Sequence, residues 1–226
     1  MDSLIKLEGV KKEYPQGETI VRALQGIDLT IEKGTFSAIM GPSGCGKSTL
    51  MHMLGFLDRP SDGAYFFKGR DTRGFSEDEL AAIRNRDVGF IFQSFNLLPR
   101  TTVLENVLLP TAYATGVDIA KARERALMLI ERVKLSHRVN ARPNQMSGGE
   151  QQRAAIARAL INDPALVLAD EPTGNLDSKT SDEVMNLLVE LNREGHTIVM
   201  VTHEDDIARR AQRIIRVKDG RIIGSG

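Results

Sequence analysis

Tryptophan is missing from this chain and cysteine occurs once. A single thiol excludes an internal disulfide and suits a reducing compartment. Net charge is missing too, because Lys plus Arg and Asp plus Glu each number 30 in 226 residues. A chain built to grip nucleic acid carries a basic excess, so no nucleic-acid partner is expected. No apolar run approaches the roughly 20 residues needed to cross a bilayer, and Met1-Asp2-Ser3-Leu4-Ile5-Lys6 has no signal-peptide pattern. The expectation is a cytoplasmic protein whose membrane role, if any, runs through a partner. Repeats, low-complexity tracts and obvious linkers are absent as well. The length suits one domain with room for a subdomain and a sizeable core.

What is present is a concentration of glycine. Gly41-Pro42-Ser43-Gly44-Cys45-Gly46-Lys47-Ser48-Thr49 fits G-x-x-x-x-G-K-[ST], the phosphate-binding loop of nucleotide hydrolases. Gly41, Gly44 and Gly46 allow positive φ and close approach to an anion. Their amides can nest a phosphate at the positive end of a helix beginning near Lys47. Lys47 is expected on the β- and γ-phosphates, and the Ser48 hydroxyl on Mg²⁺. The flanks agree: Thr35 to Met40 reads as a short buried strand, and Ser48 to Leu54 as a helix start. Cys45 reads as a small neutral filler of the loop, or alternatively as a redox brake.

Upstream, Leu4–Val10 alternates as a strand, Tyr14-Pro15-Gln16-Gly17 reads as a turn, and Ile20–Leu24 and Ile27–Ile31 as two further strands. An antiparallel β layer therefore precedes the loop, with Ala64–Phe67 added to it. Ser76-Glu77-Asp78-Glu79 is a capping box opening a helix through about Arg84. Val88–Gln93 is a buried strand. From Ser94 to about Leu160 the pattern is helical after an apolar stretch broken by Pro99 and Pro110, with Asp118 as N-cap and Ile119, Ala122, Ala126, Ile130 and Val133 in one stripe. Leu166–Ala169 and His196–Thr202 are buried strands on either side of an amphipathic helix over Asp182–Asn192. Asp219-Gly220 signals a hairpin between Ile214–Val217 and Arg221–Ile223. Short apolar strands alternating with helices predict an α/β fold. Its mostly parallel core with the β subdomain would occupy about 1–93 and 161–226, and an inserted helical subdomain about 94–160.

Polar residues follow the predicted strand ends, where open α/β sheets place ligands. Asp170 is positioned to hold Mg²⁺ directly or through water. Glu171 is positioned to orient or deprotonate a water attacking the γ-phosphate. Gln93 and His203 end strands in the same way and are candidates for Mg²⁺ or water and for the γ-phosphate. Ser147-Gly148-Gly149-Glu150 is a capped helix start. A plain cap does not need two glycines, whereas an anion would want bare backbone there.

With these motifs assembled, the chain resembles ATP-binding-cassette (ABC) nucleotide-binding domains over its whole length. Gly41–Thr49 is similar to their Walker A loop, Gln93 to the Q-loop, and Leu166–Asp170 to Walker B, with Glu171 as the catalytic glutamate. Ser147–Gln151 is similar to the signature L-S-G-G-Q, with Met146 and Glu150 replacing its first and last residues. Gly174-Asn175-Leu176-Asp177 is similar to the D-loop and His203 to the switch histidine. Tyr14 falls where the family stacks an aromatic ring on adenine. Pro15–Glu18, Gly55–Pro60 and Phe95–Pro99 are similar to the lipoprotein-releasing and macrolide-exporter ATPases.

The resemblance implies an ATP hydrolase using ATP and Mg²⁺, acting as a head-to-tail homodimer. Each ATP would lie between Lys47 of one copy and Ser147, Gly148 and Gly149 of the other. It further implies an integral membrane permease as partner, of the four-helix type with a large extracytoplasmic domain. The cassette would then sit on the cytoplasmic face of the inner membrane and drive export, lipoprotein release or mechanical transmission. Phe90–Pro110, with Phe92, Phe95, Leu97 and Leu98, is the segment expected to receive the permease. The alternative is a soluble ABC ATPase acting on ribosomes or DNA. Those usually carry two cassettes, or coiled coils and zinc hooks, and this chain has one cassette and neither heptads nor CxxC.

Overall fold

The computed structural model describes residues 3–17, 19–114 and 116–226. Two sheets organise them. The N-terminal one is antiparallel and runs β2 (Thr19–Glu32), β1 (Ser3–Gln16), β4 (Asp62–Phe67), β5 (Arg70–Asp71). The second has six strands in the order β10 (Arg221–Ser225), β9 (Arg213–Lys218), β3 (Phe36–Met40), β8 (Thr197–Val201), β7 (Leu166–Asp170), β6 (Val88–Phe92). Its strands are parallel from β9 to β6, with β10 antiparallel at one edge.

Two expectations for the N-terminal layer are corrected. Tyr14 and Pro15 are not a turn; they pair with Val21 and Ile20, and the chain reverses only beyond Gln16. The two strands read from Ile20 to Ile31 are one. Gly26, at φ +86°, keeps the chain in the ladder across a register shift between the Val10–Ile27 and Lys11–Gln25 pairs. A glycine inside a strand pattern can mark a bulge as well as a break, and here it marks the bulge. Glu18, in a stretch quoted above for its likeness, lies outside the described residues.

Period-two alternation sends successive core-strand residues to opposite faces. Phe36, Ala38, Val167, Ala169, Ile198 and Met200 join one core, and Ile39, Leu166, Leu168, Val199 and Val201 the other. Against the second core lie the antiparallel sheet and α1 (Lys47–Leu54). α2 (Glu77–Asp87), opened by the expected capping box at Ser76, adds Leu80 and Ile83 to it.

The first core is covered by α3 (Val103–Leu108), α4 (Ile119–Arg132), α5 (Gly148–Leu160) and α6 (Ser178–Arg193), with α7 (Asp205–Ala208) contributing Ala208. Asp118 caps α4 as expected, through the N–H groups of Ala120 and Lys121. Its stripe is shorter than the spacing predicts: Ala126, Ile130 and Val133 are buried, but Ile119 is 82% exposed. The expected hairpin is present, with Asp219 and Gly220 both at positive φ (48° and 71°).

One buried cation fixes the segment after β6. Arg158, on the last turn of α5, donates to the carbonyls of Asn96 and Phe95 (2.9 Å to Phe95). Those two residues are themselves left-handed, at φ 51° and 60°. Burial lowers the Arg158 pKa, and the two carbonyls give the buried charge the partners it requires.

Candidate functional site at the strand ends

Register brings the site together. Phe92, Asp170 and Val201 lie abreast on β6, β7 and β8, and Ile39 of β3 lies beside Val201. The next residues of each strand therefore leave the sheet at one level: Gln93, Glu171, Thr202-His203 and Met40-Gly41. One pocket is lined by Met40, Gly41, Pro42, Ser43, Glu171 and His203, joined by Asp205 and Arg216. Asp205 and Arg216 escaped the sequence reading. Arg216 is an exposed residue in an alternating strand, and only the pairing of Met40 with Arg216 places it beside the loop.

The phosphate loop is wedged between β2 and β9. A Cβ on Gly41 would lie 2.1 Å from the Val217 carbonyl oxygen, and one on Gly46 2.5 Å from that of Ala23. These two glycines are thus required by the protein's own backbone. Gly44, at φ +75° with open space around it, is the one whose bare backbone faces outward. The Cys45 carbonyl accepts from Gly220 N–H at 2.9 Å, which ties the β9–β10 hairpin to the loop. The Cys45 thiol is buried with Leu24, Leu50 and Val217, where it fills space.

α1 begins at Gly46 (φ +104°) with no side-chain cap, so its first N–H groups have no side chain competing for them. Lys47 is buried and donates to the carbonyls of Gly41 (2.7 Å) and Pro42 (2.9 Å). Those bonds shape the loop and leave one of the three ammonium protons for an anion. Ser48 is exposed on the first turn. A triphosphate fits this donor set.

Glu171 is left-handed at φ 43°, a strained conformation for a side-chain-bearing residue, costing on the order of 1–3 kcal/mol. It is held by Glu171 N–H to Val201 O (2.9 Å) and by Gly174 N–H to Glu171 O (3.1 Å). Its Oε1 is 2.8 Å from His203 Nδ1, so the two predicted residues meet. Burial first, then the neighbouring Glu171 charge, raise the Asp170 pKa, while His52 and Lys47 oppose the shift. A carboxylate so placed gains from a bound cation. No cluster of three or more His, Cys, Asp or Glu among the described residues could hold a metal alone. Mg²⁺ sites built from one carboxylate plus phosphate oxygens need none, and the Ser48 and Asp170 oxygens suit that ion.

Gln93 takes a different place, outside the lining of this pocket. Its side-chain amide lies against Gly174, where an added Cβ would meet Nε2 at 2.6 Å, and Asn175 Nδ2 donates to the Gln93 backbone carbonyl at 3.0 Å. Tyr14, two residues before the end of β1, donates its hydroxyl to Asp58.

The Ser147 segment is likewise not part of the pocket lining. Ser147 caps α5 in a full capping box with Glu150. The paired glycines have a packing reason that sequence reasoning did not supply: a Cβ on Gly149 would lie 2.2 Å from Thr180 Cγ2, and one on Gly148 3.3 Å from Leu176. Ser147 itself is exposed.

Glu150 is more than a cap. Burial pushes its carboxyl up, but Ser147 N–H, the Arg138 guanidinium (2.9 Å) and His137 together hold it down to about 2. A depressed carboxyl contributes stability above its unfolded pKa and loses it as pH falls through the folded value. Glu150→Gln is therefore expected to lower stability at pH 7, with the difference from the parent shrinking from about pH 4.5 and gone near pH 2. Denaturant melts across that range check it.

Residues 24–174 match the family described as ABC transporter. Among solved structures, the dimeric post-hydrolysis state of the ATP-binding cassette MJ0796 bound to ADP and Pi superposes with a TM-score of 0.89 at 46% identity, covering 98% of this chain and 97% of that one. The structure of cbiO1 from Clostridium perfringens, described as part of an ABC transporter complex, gives 0.88 at 29% identity over 100% of this chain and 89% of that one. The chain belongs to the ABC transporter family as an ATP-binding cassette.

Its curated relatives are more specific. It is 51% identical over 217 residues to the macrolide export ATP-binding/permease protein MacB of Bdellovibrio bacteriovorus, covering 96% of this chain and 33% of that protein. With MacB of Chlorobaculum tepidum it shares 54% over 220 residues, covering 97% of this chain and 34% of that protein. The chain thus spans about a third of the length of these relatives. No helix among the described residues is long and apolar enough to cross a membrane.

Proposed function

We propose that this cassette binds ATP with Mg²⁺, hydrolyses it as a pair of copies, and thereby drives an integral membrane permease. The observation that carries the reading is the single pocket joining the loop Gly41–Ser43 to the Glu171–His203 pair, with Ser147 and Gly148 outside it. In this reading the chain supplies one half of each site, and a second copy supplies the other.

In this reading Tyr14 stacks on adenine. The loop from Gly41 through Pro42, Ser43, Gly44, Cys45 and Gly46 to Thr49 wraps the phosphates with its amides, and Lys47 supplies the charge. Ser48 and Asp170 hold Mg²⁺, with Gln93 reaching the same ion or its water. Bound Mg²⁺ offsets charge on the phosphate oxygens. Glu171 takes the proton of the attacking water, and His203 both orients Glu171 and contacts the γ-phosphate. Ser147, Gly148 and Gly149 of the second copy close the site from the opposite side.

In this reading the permease docks on a cavity of about 460 Å³ lined by Leu57, Phe90, Phe92, Leu109, Pro110 and Tyr113 among others. Tyr113 is 76% exposed there, and an apolar hollow of this kind marks a docking surface. Leu97, expected on that surface, packs on the first core instead, and Phe95 lies beside Gly148 with its carbonyl held by Arg158.

The names of the MacB relatives, which join an ATP-binding part to a permease and to macrolide export, support export and a permease of their type. They also favour transport over action on ribosomes or DNA. Extraction of the cassette from its native membrane tests this. A permease that accompanies it and is lost on Tyr113→Glu, with turnover of the free cassette unchanged, is the expected result. Recovery with ribosomal RNA or DNA instead would overturn the reading.

A further inference from the structure

The segment Gly55–Pro60, between α1 and β4, has no part in the phosphate chemistry, yet it joins Lys12 and Tyr14 in a hydrogen-bonded cluster. Asp58 Oδ2 accepts from the Tyr14 hydroxyl at 2.6 Å. Its Oδ1 accepts from Lys12 Nζ and, at 2.8 Å, from its own neighbour Arg59 N–H. Lys12 completes the cluster by donating to the Arg59 carbonyl at 2.8 Å, and its ammonium stands 4.9 Å from the centre of the Tyr14 ring.

The burial of this cluster is uneven in an informative way. The Lys12 and Asp58 side chains are 12% and 25% exposed, whereas Tyr14 is 36% exposed. The ion pair is thus a sheltered base, and the ring it holds keeps an open surface. Asp58 is held below the usual carboxylate range by Lys12, Tyr14 and Arg59 N–H, against the burial that alone would raise it. Burial and then Asp58 raise the Tyr14 hydroxyl, with Thr49 of the phosphate loop opposing. Donor and acceptor therefore keep their roles throughout the neutral range.

We infer that Asp58, braced by Lys12, is a positioning residue that anchors the Tyr14 hydroxyl and so fixes where the ring stands beside the phosphate loop, so that the adenine base meets a preset stacking face. The inference rests on the stacking role proposed above for Tyr14. Without the tether, a ring on an exposed stretch of β1 is free to rotate about its side-chain bonds, and that freedom is lost each time a base binds. The tether removes that cost in advance. It acts on the base only, because no atom of the cluster belongs to the phosphate-binding amides.

Calorimetric titration of the cassette with ADP and with pyrophosphate separates base from phosphate binding without turnover. Tyr14→Phe and Asp58→Ala are each expected to weaken ADP by about fivefold, the scale of one typical net hydrogen bond. The double variant should be no weaker than either single one, since both remove the same bond. Pyrophosphate affinity should stay at the parent value in all three, which also reports an intact loop. Tyr14→Ala should cost more than Tyr14→Phe. If Tyr14→Ala leaves ADP unchanged, the stacking reading itself fails. If Tyr14→Ala weakens ADP while Tyr14→Phe and Asp58→Ala do not, stacking stands and the tether is refuted. Additive losses in the double variant would also refute it.

Discussion

Glu171→Gln is expected to reduce ATP turnover by about 100-fold or more, the range spanned by a general base, while ATP still binds. The geometry gives the reason. Glu171 is held at φ 43° by two backbone hydrogen bonds and faces His203 across 2.8 Å. Glutamine has the same shape, can keep a bond to His203, and fits the same backbone, so folding is preserved. It cannot accept the proton of a water. With chemistry blocked and binding intact, the ATP-loaded pair of copies should accumulate. Phosphate release measures the first effect, and size-exclusion chromatography with ATP the second. Full turnover in this variant would remove Glu171 from the mechanism.

Ser147→Arg is expected to reduce turnover on a similar scale, about 100-fold, by setting a bulky cation where the transition state needs a small donor. A single copy should still bind ATP with parent affinity, because in the reading proposed above Ser147 acts on the ATP held by the second copy. Loss of the α5 cap costs about 1 kcal/mol, which the remaining fold absorbs, since Ser147 is exposed. Nucleotide titration of the isolated variant beside its turnover separates the two effects. A large loss of ATP affinity in the monomer would place Ser147 in its own chain's pocket.

Much of this was legible from local pattern. Leu166–Ala169 declares a buried strand by composition, Ser76 and Asp118 declare helix starts by chemistry, and Gly41–Thr49 declares a phosphate loop by spacing. Each of these signals lies within a few residues. Relations between distant segments were not legible. Tyr14 looked like part of a turn because its pairing with Val21 across the hairpin is invisible to a local window. Gly149 has a second reason to be glycine that no local window shows, because Thr180, whose Cγ2 would lie 2.2 Å from a Cβ there, is remote in sequence. Arg158 and Arg216 carry no local signal of where they act. The first is buried on the carbonyls of Phe95 and Asn96, and the second reaches the site only through the β3–β9 pairing. Asp58 belongs with them, since its partner Tyr14 is 44 residues away.

The central claim is that each site is shared between two copies, and mixing two disabled cassettes tests it most directly. A Glu171→Gln copy paired with a Ser147→Arg copy has one site carrying both defects. Its other site combines the intact Glu171 of the second copy with the intact Ser147 of the first. Turnover in the mixture should therefore rise well above that of either variant alone, toward about a quarter of the parent rate if copies pair at random and sites act independently. A mixture that forms mixed dimers yet shows only the average of the two variant rates would contradict the shared site.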